Sequence, residues 1–109
     1  MKYLLLIRIN ESEPGPAVLM PAYDKFTEEL QQGGSLISAS RLSGPEGAST
    51  VRVRAGRPSV TDGPYAETKE WLCGFYVVDC RDNAEAQAIA AKIPSSPYGT
   101  IEVVPFFEA

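Results

Sequence analysis

Hydrophobic and polar positions alternate along the chain in blocks that change period several times. Tyr3-Leu4-Leu5-Leu6-Ile7-Arg8-Ile9 is apolar at nearly every position, which predicts a strand buried on both faces. Asn10 to Gly15 breaks that run with polar residues, Pro14 and Gly15. Pro16 or Pro21 opens the next element, because proline is favoured in a first helical turn. Leu19, Tyr23, Phe26 and Leu30 then recur at helical spacing, which predicts a helix near 17–32 that Gly33-Gly34 stops. A second, less clearly patterned strand spans 35–42 and ends in the Ser43-Gly44-Pro45-Glu46-Gly47 loop.

The pattern then switches to strict alternation. Thr50-Val51-Arg52-Val53-Arg54 predicts one arm of a hairpin, Ala55-Gly56 its tight turn and 57–61 the returning arm, which Pro58 confines to an edge. Asp62-Gly63-Pro64-Tyr65 is a turn by composition, and 71–78 is a long strand rich in aromatic and β-branched residues. Asp82, with Glu85 three positions on, is an acidic analogue of a capping box. It starts a helix striped with Ala86, Ile89, Ala90 and Ile93, which Pro94 ends. Residues 99–104 form the last strand, closed by Pro105. The apolar Phe106-Phe107 tail is expected to bury its rings against a partner chain or the sheet edge.

With the hairpin set aside, the order β-α-β-β-α-β is that of an α+β, ferredoxin-like domain: a mostly antiparallel four-stranded sheet with both helices on one face. The strands carry apolar residues on both faces, so the face without helices needs a cover. A second copy supplies it, which predicts a homodimer whose sheets face each other. Neither repeats nor a linker divide the chain, and at 109 residues a single domain over 1–109 is expected.

Charge and composition narrow the setting. There are 10 Lys+Arg against 14 Asp+Glu, a net charge of −4, which argues against nucleic acid as a direct partner. No apolar stretch is long enough for a membrane span or a secretory core. Two cysteines, Cys73 and Cys80, fall in or beside one strand, about 23 Å apart at ~3.3 Å per residue and so beyond bridging distance. Free thiols and no signal segment predict a cytoplasmic protein, with the cysteines as packing residues. The chain has 0 histidines, so Ser-His-Asp triads, Cys-His pairs, HExxH zinc sites and haem ligation by histidine are excluded.

What chemistry remains rests on carboxylates, Lys, Tyr and Arg. Asp62, Glu67, Lys69 and Glu70 place three acids and an amine at the approach to the 71–78 strand, where a partly desolvated carboxylate is suited to abstracting a proton. The same residues equally suit a structural role, Asp62 tying the Gly63-Pro64 turn and the others forming an ion-pair network. Arg41 is placed to clamp a substrate carboxylate or to form a rim ion pair. Tyr23 and Trp71 suit a pocket wall or the core. Arg41, Arg52, Arg54 and Arg57 form a local basic cluster that suits an anion or a solvated face. Nothing in the sequence reads as a metal-binding loop, a phosphate loop or a dinucleotide fingerprint, and no cofactor is expected.

Asp62-Gly63-Pro64-Tyr65-Ala66-Glu67-Thr68-Lys69-Glu70, the Gly74-containing aromatic strand after it and the Gly99-Thr100-Ile101-Glu102-Val103-Val104-Pro105 ending resemble the YCII-related family, in the subgroup named for a DGPF motif. Met1 to Ile7 and Phe26 to Leu30 extend the resemblance over nearly the whole chain. It implies a ferredoxin-like fold that dimerises into an α/β barrel, akin to muconolactone isomerases and cofactor-independent monooxygenases. Taken with the residues above, it leaves a small cofactor-free enzyme with isomerase-, lyase- or oxygenase-like acid/base chemistry on a small organic molecule, an anionic one among the candidates, with Asp62 or Glu67 as base and Tyr65 among the ligand-binding residues. The alternative it implies is a non-catalytic accessory protein of sigma-factor transcription control. Two departures stand out. Tyr65 occupies the motif's phenylalanine position, and the histidine that some family members pair with an aspartate has no counterpart here.

Overall fold

The computed structural model describes residues 1–10, 12–65 and 69–108. Its elements are β1 (Lys2–Ile9), α1 (Pro16–Gln32), β2 (Leu36–Arg41), β3 (Ser49–Arg54), β4 (Arg57–Asp62), β5 (Trp71–Asp79), α2 (Asn83–Ala91) and β6 (Gly99–Pro105), with short 3-10 turns at Pro45–Gly47 and Ser96–Tyr98. α1 starts at Pro16, whose missing N–H costs nothing in the first turn. Pro21 is accommodated inside the helix, although it forfeits the bond to the carbonyl four residues back. α2 begins at the expected cap: Asp82 Oδ1 accepts from the Glu85 N–H at 2.9 Å, and Glu85 Oε1 accepts from the Arg81 N–H at 3.4 Å.

The main sheet has four strands in the order β2-β5-β1-β6, and every neighbouring pair is antiparallel. β1 and β2 are therefore parallel to one another with β5 between them, and β5 and β6 likewise flank β1. Each βαβ crossover skips one strand, an arrangement compatible with the ferredoxin-like expectation. Tyr3, Leu5 and Ile7 of β1 and Tyr76 and Val78 of β5 form one buried face, packed against Phe26 of α1 and Ala86 and Ala90 of α2. Small alanines let α2 approach the sheet closely. Phe26 meets Tyr76 edge to face, with ring centroids 5.2 Å apart. Gly74 is buried where β5 passes β2, and a Cβ there would lie 2.9 Å from the Ser40 carbonyl oxygen, so only glycine permits this strand spacing.

Among the described residues no helix covers the opposite sheet face. Register pairs Leu4 with Val77 and Val104, and Leu6 with Phe75, all half-buried, and the Arg8–Glu102 ion pair at 2.5 Å borders them. The β3–β4 hairpin forms a separate two-stranded sheet. Its turn has positive φ at both Ala55 (52°) and Gly56 (75°), a type I′ geometry that matches strand twist. One face carries Val51, Val53, Pro58 and Val60, the other Arg52, Arg54 and Arg57. A radius of gyration of 15.7 Å and extents of 47 × 40 × 18 Å, against ~13 Å for a compact chain of this length, describe a flat body with an extended ribbon. The sheet edge does not cover the terminal rings within one chain. The Phe106 N–H continues the pairing to the Lys2 carbonyl at 3.0 Å, but Phe107 is 92% exposed.

Candidate functional site

A cavity of about 280 Å³ opens between α1 and the sheet. Its walls are chiefly apolar, with Ile7 and Ile9 of β1 below and Leu19 and Met20 of α1 above. Among the groups that bring chemistry to it are Glu13, Tyr23, Asp24, Thr27, Arg41 and Cys73. β1 supplies the floor because its buried residues alternate, and the helical spacing of 19, 23 and 27 turns those side chains to the same opening. A register irregularity, in which Ile7 pairs with Gly74 but Arg8 with Leu72, leaves Cys73 unpaired in the β1–β5 ladder. Arg41 sits at the end of β2, held where the Leu42 N–H reaches the Cys73 carbonyl at 2.8 Å, and its Nη1 lies 3.9 Å from Met20 Sδ.

Behind the cavity runs a chain of hydroxyls. Tyr23 donates to Ser95 Oγ at 2.6 Å, and Ser95 in turn donates to a carboxylate oxygen of Glu13. Ser95 is completely buried, and among the described residues no buried side-chain polar atom lacks a partner. A second pair, Thr27 and Tyr76, joins its hydroxyls at 2.6 Å. Burial pushes the Tyr23 phenol up to about 12, with the Ser95 hydrogen bond acting the other way and the charges of Cys73 and Glu13 adding to the rise. Burial likewise pushes the Cys73 thiol up to about 11, Glu13 reinforcing and Arg41 opposing the effect. Cys73 is therefore kept as a neutral thiol, the reverse of what a nucleophilic cysteine needs. Both cysteines are free.

The structure brings Arg41 and Tyr23 together at this cavity, and the other sequence candidates among the described residues stand elsewhere. Asp62 is exposed at the end of β4. The turn after it is tied by the Gly63 N–H to the Ala48 carbonyl at 2.7 Å and by the Thr50 hydroxyl to the Gly63 carbonyl at 2.9 Å. Tyr65 is 78% exposed, with the Arg52 guanidinium 5.1 Å over its ring. Lys69 is exposed, Glu70 accepts from the Thr100 hydroxyl at 2.7 Å, and Trp71 pairs with Ile9 in the sheet. Glu67 lies outside the described residues. The arginine cluster divides, with Arg52, Arg54 and Arg57 on the ribbon and Arg41 at the cavity. Among the described residues, no three acidic or cysteine side chains converge as metal ligands.

Glu13, Ser95 and the orientation of Cys73 were not read from the sequence. The faint signals were an acid immediately before the Pro14-Gly15-Pro16 helix start and a serine directly after the Pro94 that ends an apolar stripe.

Comparison with known proteins decides the family. The YCII-related domain matches residues 1–109. This chain belongs to the YCII-related family. It is also 41% identical over 76 residues to an uncharacterised protein of Rhizobium meliloti (strain 1021), an alignment covering 68% of this chain and 61% of that protein. The chain thus spans about three-fifths of that relative's length. In this YCII-related chain no helix among the described residues is long and apolar enough to cross a membrane.

Proposed function

We propose that this protein binds a small organic anion in the cavity between α1 and the sheet, and that it does so as a homodimer of the DGPF-type subgroup. The observation that carries the reading is the placement of one guanidinium, Arg41, at a chiefly apolar cavity of about 280 Å³, whose lining also includes the carboxylates of Glu13 and Asp24. That volume of about 280 Å³ lies just below the ~300–1,000 Å³ range of ligand pockets, which suits a single ring or a short chain. An apolar wall binds the carbon skeleton, and the guanidinium takes a carboxylate through paired N–H donors. Subgroup membership rests on Asp62-Gly63-Pro64-Tyr65 with Lys69-Glu70 ahead of β5. The dimer rests on the uncovered Leu4, Leu6, Phe75, Val77 and Val104 face, which a second sheet would bury.

Titration with benzoate, 2-oxobutyrate, acetoacetate and levulinate, followed by amide chemical shifts, tests the binding. The expected result is a saturable response around Ile9, Tyr23, Arg41 and Cys73, weakened about tenfold in Arg41→Gln, the ~1.4 kcal/mol at the low end for a charge-assisted bond. A response confined to the ribbon or the 62–70 segment would overturn it. A lack of response to all four would turn attention to the accessory-protein alternative. Sedimentation tests the dimer: Leu6→Asp should leave monomers where the native chain is dimeric.

A further inference from the structure

We infer that Glu13, Ser95 and Tyr23 form a proton relay that lets the cavity draw a proton from carbon beside a carbonyl group in a small keto acid. This inference rests on the binding reading above and goes beyond it by naming the base and the substrate class.

The geometry sets the direction of the relay. Tyr23 and Glu13 both line the cavity, while Ser95 lies completely buried behind them. The single proton of Tyr23 already points to Ser95 and that of Ser95 to Glu13. The phenol oxygen therefore has lone pairs free to accept, and a proton it accepts can be matched by moving its own along the chain. When a substrate C–H bond breaks, its electron pair delocalises onto the neighbouring carbonyl oxygen as an enolate. The proton goes to Tyr23 Oη, the Tyr23 proton to Ser95 Oγ, and the Ser95 proton to the Glu13 carboxylate. Reversal returns a proton to carbon, at the same atom for exchange or at a conjugated one for isomerisation. Atoms and charge balance without an oxidant or a cofactor.

Other chemistry is closed off by the same side chains. Ser95 has its hydrogen committed to Glu13 and no solvent exposure, so it relays and does not attack. Burial holds Cys73 protonated, so it is no nucleophile. The chain has 0 histidines. Among the described lining residues, Glu13 and Asp24 are the only carboxylates, and Glu13 is the one that receives the hydrogen-bonded chain. Arg41 fixes the acid end of the substrate, which selects a carboxylate whose acidic C–H reaches the phenol.

The test is loss of proton signals from 2-oxobutyrate, acetoacetate and levulinate in D2O, followed by NMR, beside the binding titration. The expected result is wash-out above the buffer rate with at least one of the three. It should fall about 100-fold or more in Tyr23→Phe and in Glu13→Gln, the ordinary range for removing a general base, while the probe still binds. Tyr23→Phe preserves ring volume, and an unchanged amide spectrum away from the cavity shows that the variant folds. Arg41-dependent binding without wash-out overturns the relay and leaves the binding reading standing. Wash-out that survives both substitutions also overturns it, by placing the base elsewhere. Failure of the three keto acids to bind or exchange overturns the relay, and failure of benzoate to bind as well overturns the binding reading with it.

Discussion

The four-stranded body and the β3–β4 ribbon are built from similar residues and have opposite relations to solvent. In the body, Tyr3, Leu5, Ile7, Tyr76 and Val78 alternate inward and two helices cover them. In the ribbon, Val51, Val53 and Val60 alternate just as regularly, yet they are 60%, 57% and 66% exposed. Alternation therefore specifies which side chains share a face but not what covers that face. A lone two-stranded ribbon is marginal in water, so its valines gain little until another surface meets them. The body, by contrast, is self-sufficient on its helix side and can hold a cavity open beneath α1.

The largest effect that sharpens this contrast is Leu5→Ala, expected to lower unfolding free energy by about 3 kcal/mol, against under ~0.5 kcal/mol for Val53→Ala, both by urea denaturation. A Val53→Ala loss that grows with protein concentration would show the ribbon covered by a second copy. Next comes Ser95→Ala, which strands Tyr23 and Glu13 together and should cost about 1–3 kcal/mol by the same measurement. No matching loss is expected for an exposed ribbon hydroxyl such as Ser59→Ala.

Alkaline pH separates the regions further. Cys73 rises from an ordinary value near 9 to about 11 and Tyr23 from about 10 to about 12, so the unfolded chain gives up these protons first. Their contribution is complete below pH 9 and is lost as pH rises through 9–12, about 1 kcal/mol once partial exposure is allowed for. Cys73→Ala should flatten the lower part of that decline and Tyr23→Phe the upper part. The smallest effect belongs to the ribbon turn: Ala55→Asn relieves a left-handed alanine and should protect ribbon amides from hydrogen exchange by about 0.5–1 kcal/mol without moving body amides.

The elements were legible because each boundary carries its own chemistry: Pro16 and Gly33-Gly34 around α1, Asp82 with Glu85 before α2, Ala55-Gly56 between β3 and β4. Arg41 and Tyr23 were legible as candidates for the cavity wall because one ends a strand and the other sits on the apolar stripe of a helix. Glu13 and Ser95 were not, since 82 positions separate them and only the packing of α1 over the sheet brings them together. The 62–70 segment attracted attention by its density of charge. Yet Asp62, Lys69 and Glu70 are absent from the cavity wall, with Asp62 exposed at the end of β4 and Glu70 turned to the Thr100 hydroxyl of β6.

The Cys73 thiol in the cavity wall has a practical consequence. Peroxides and alkylating reagents consume thiolate, so the raised Cys73 pKa slows their attack on this sulfur near neutral pH. Raised toward pH 11, the same sulfur becomes a built-in gauge of occupancy. Its rate of alkylation, read by mass at the peptide that contains it, slows in proportion to the fraction of cavities that are filled.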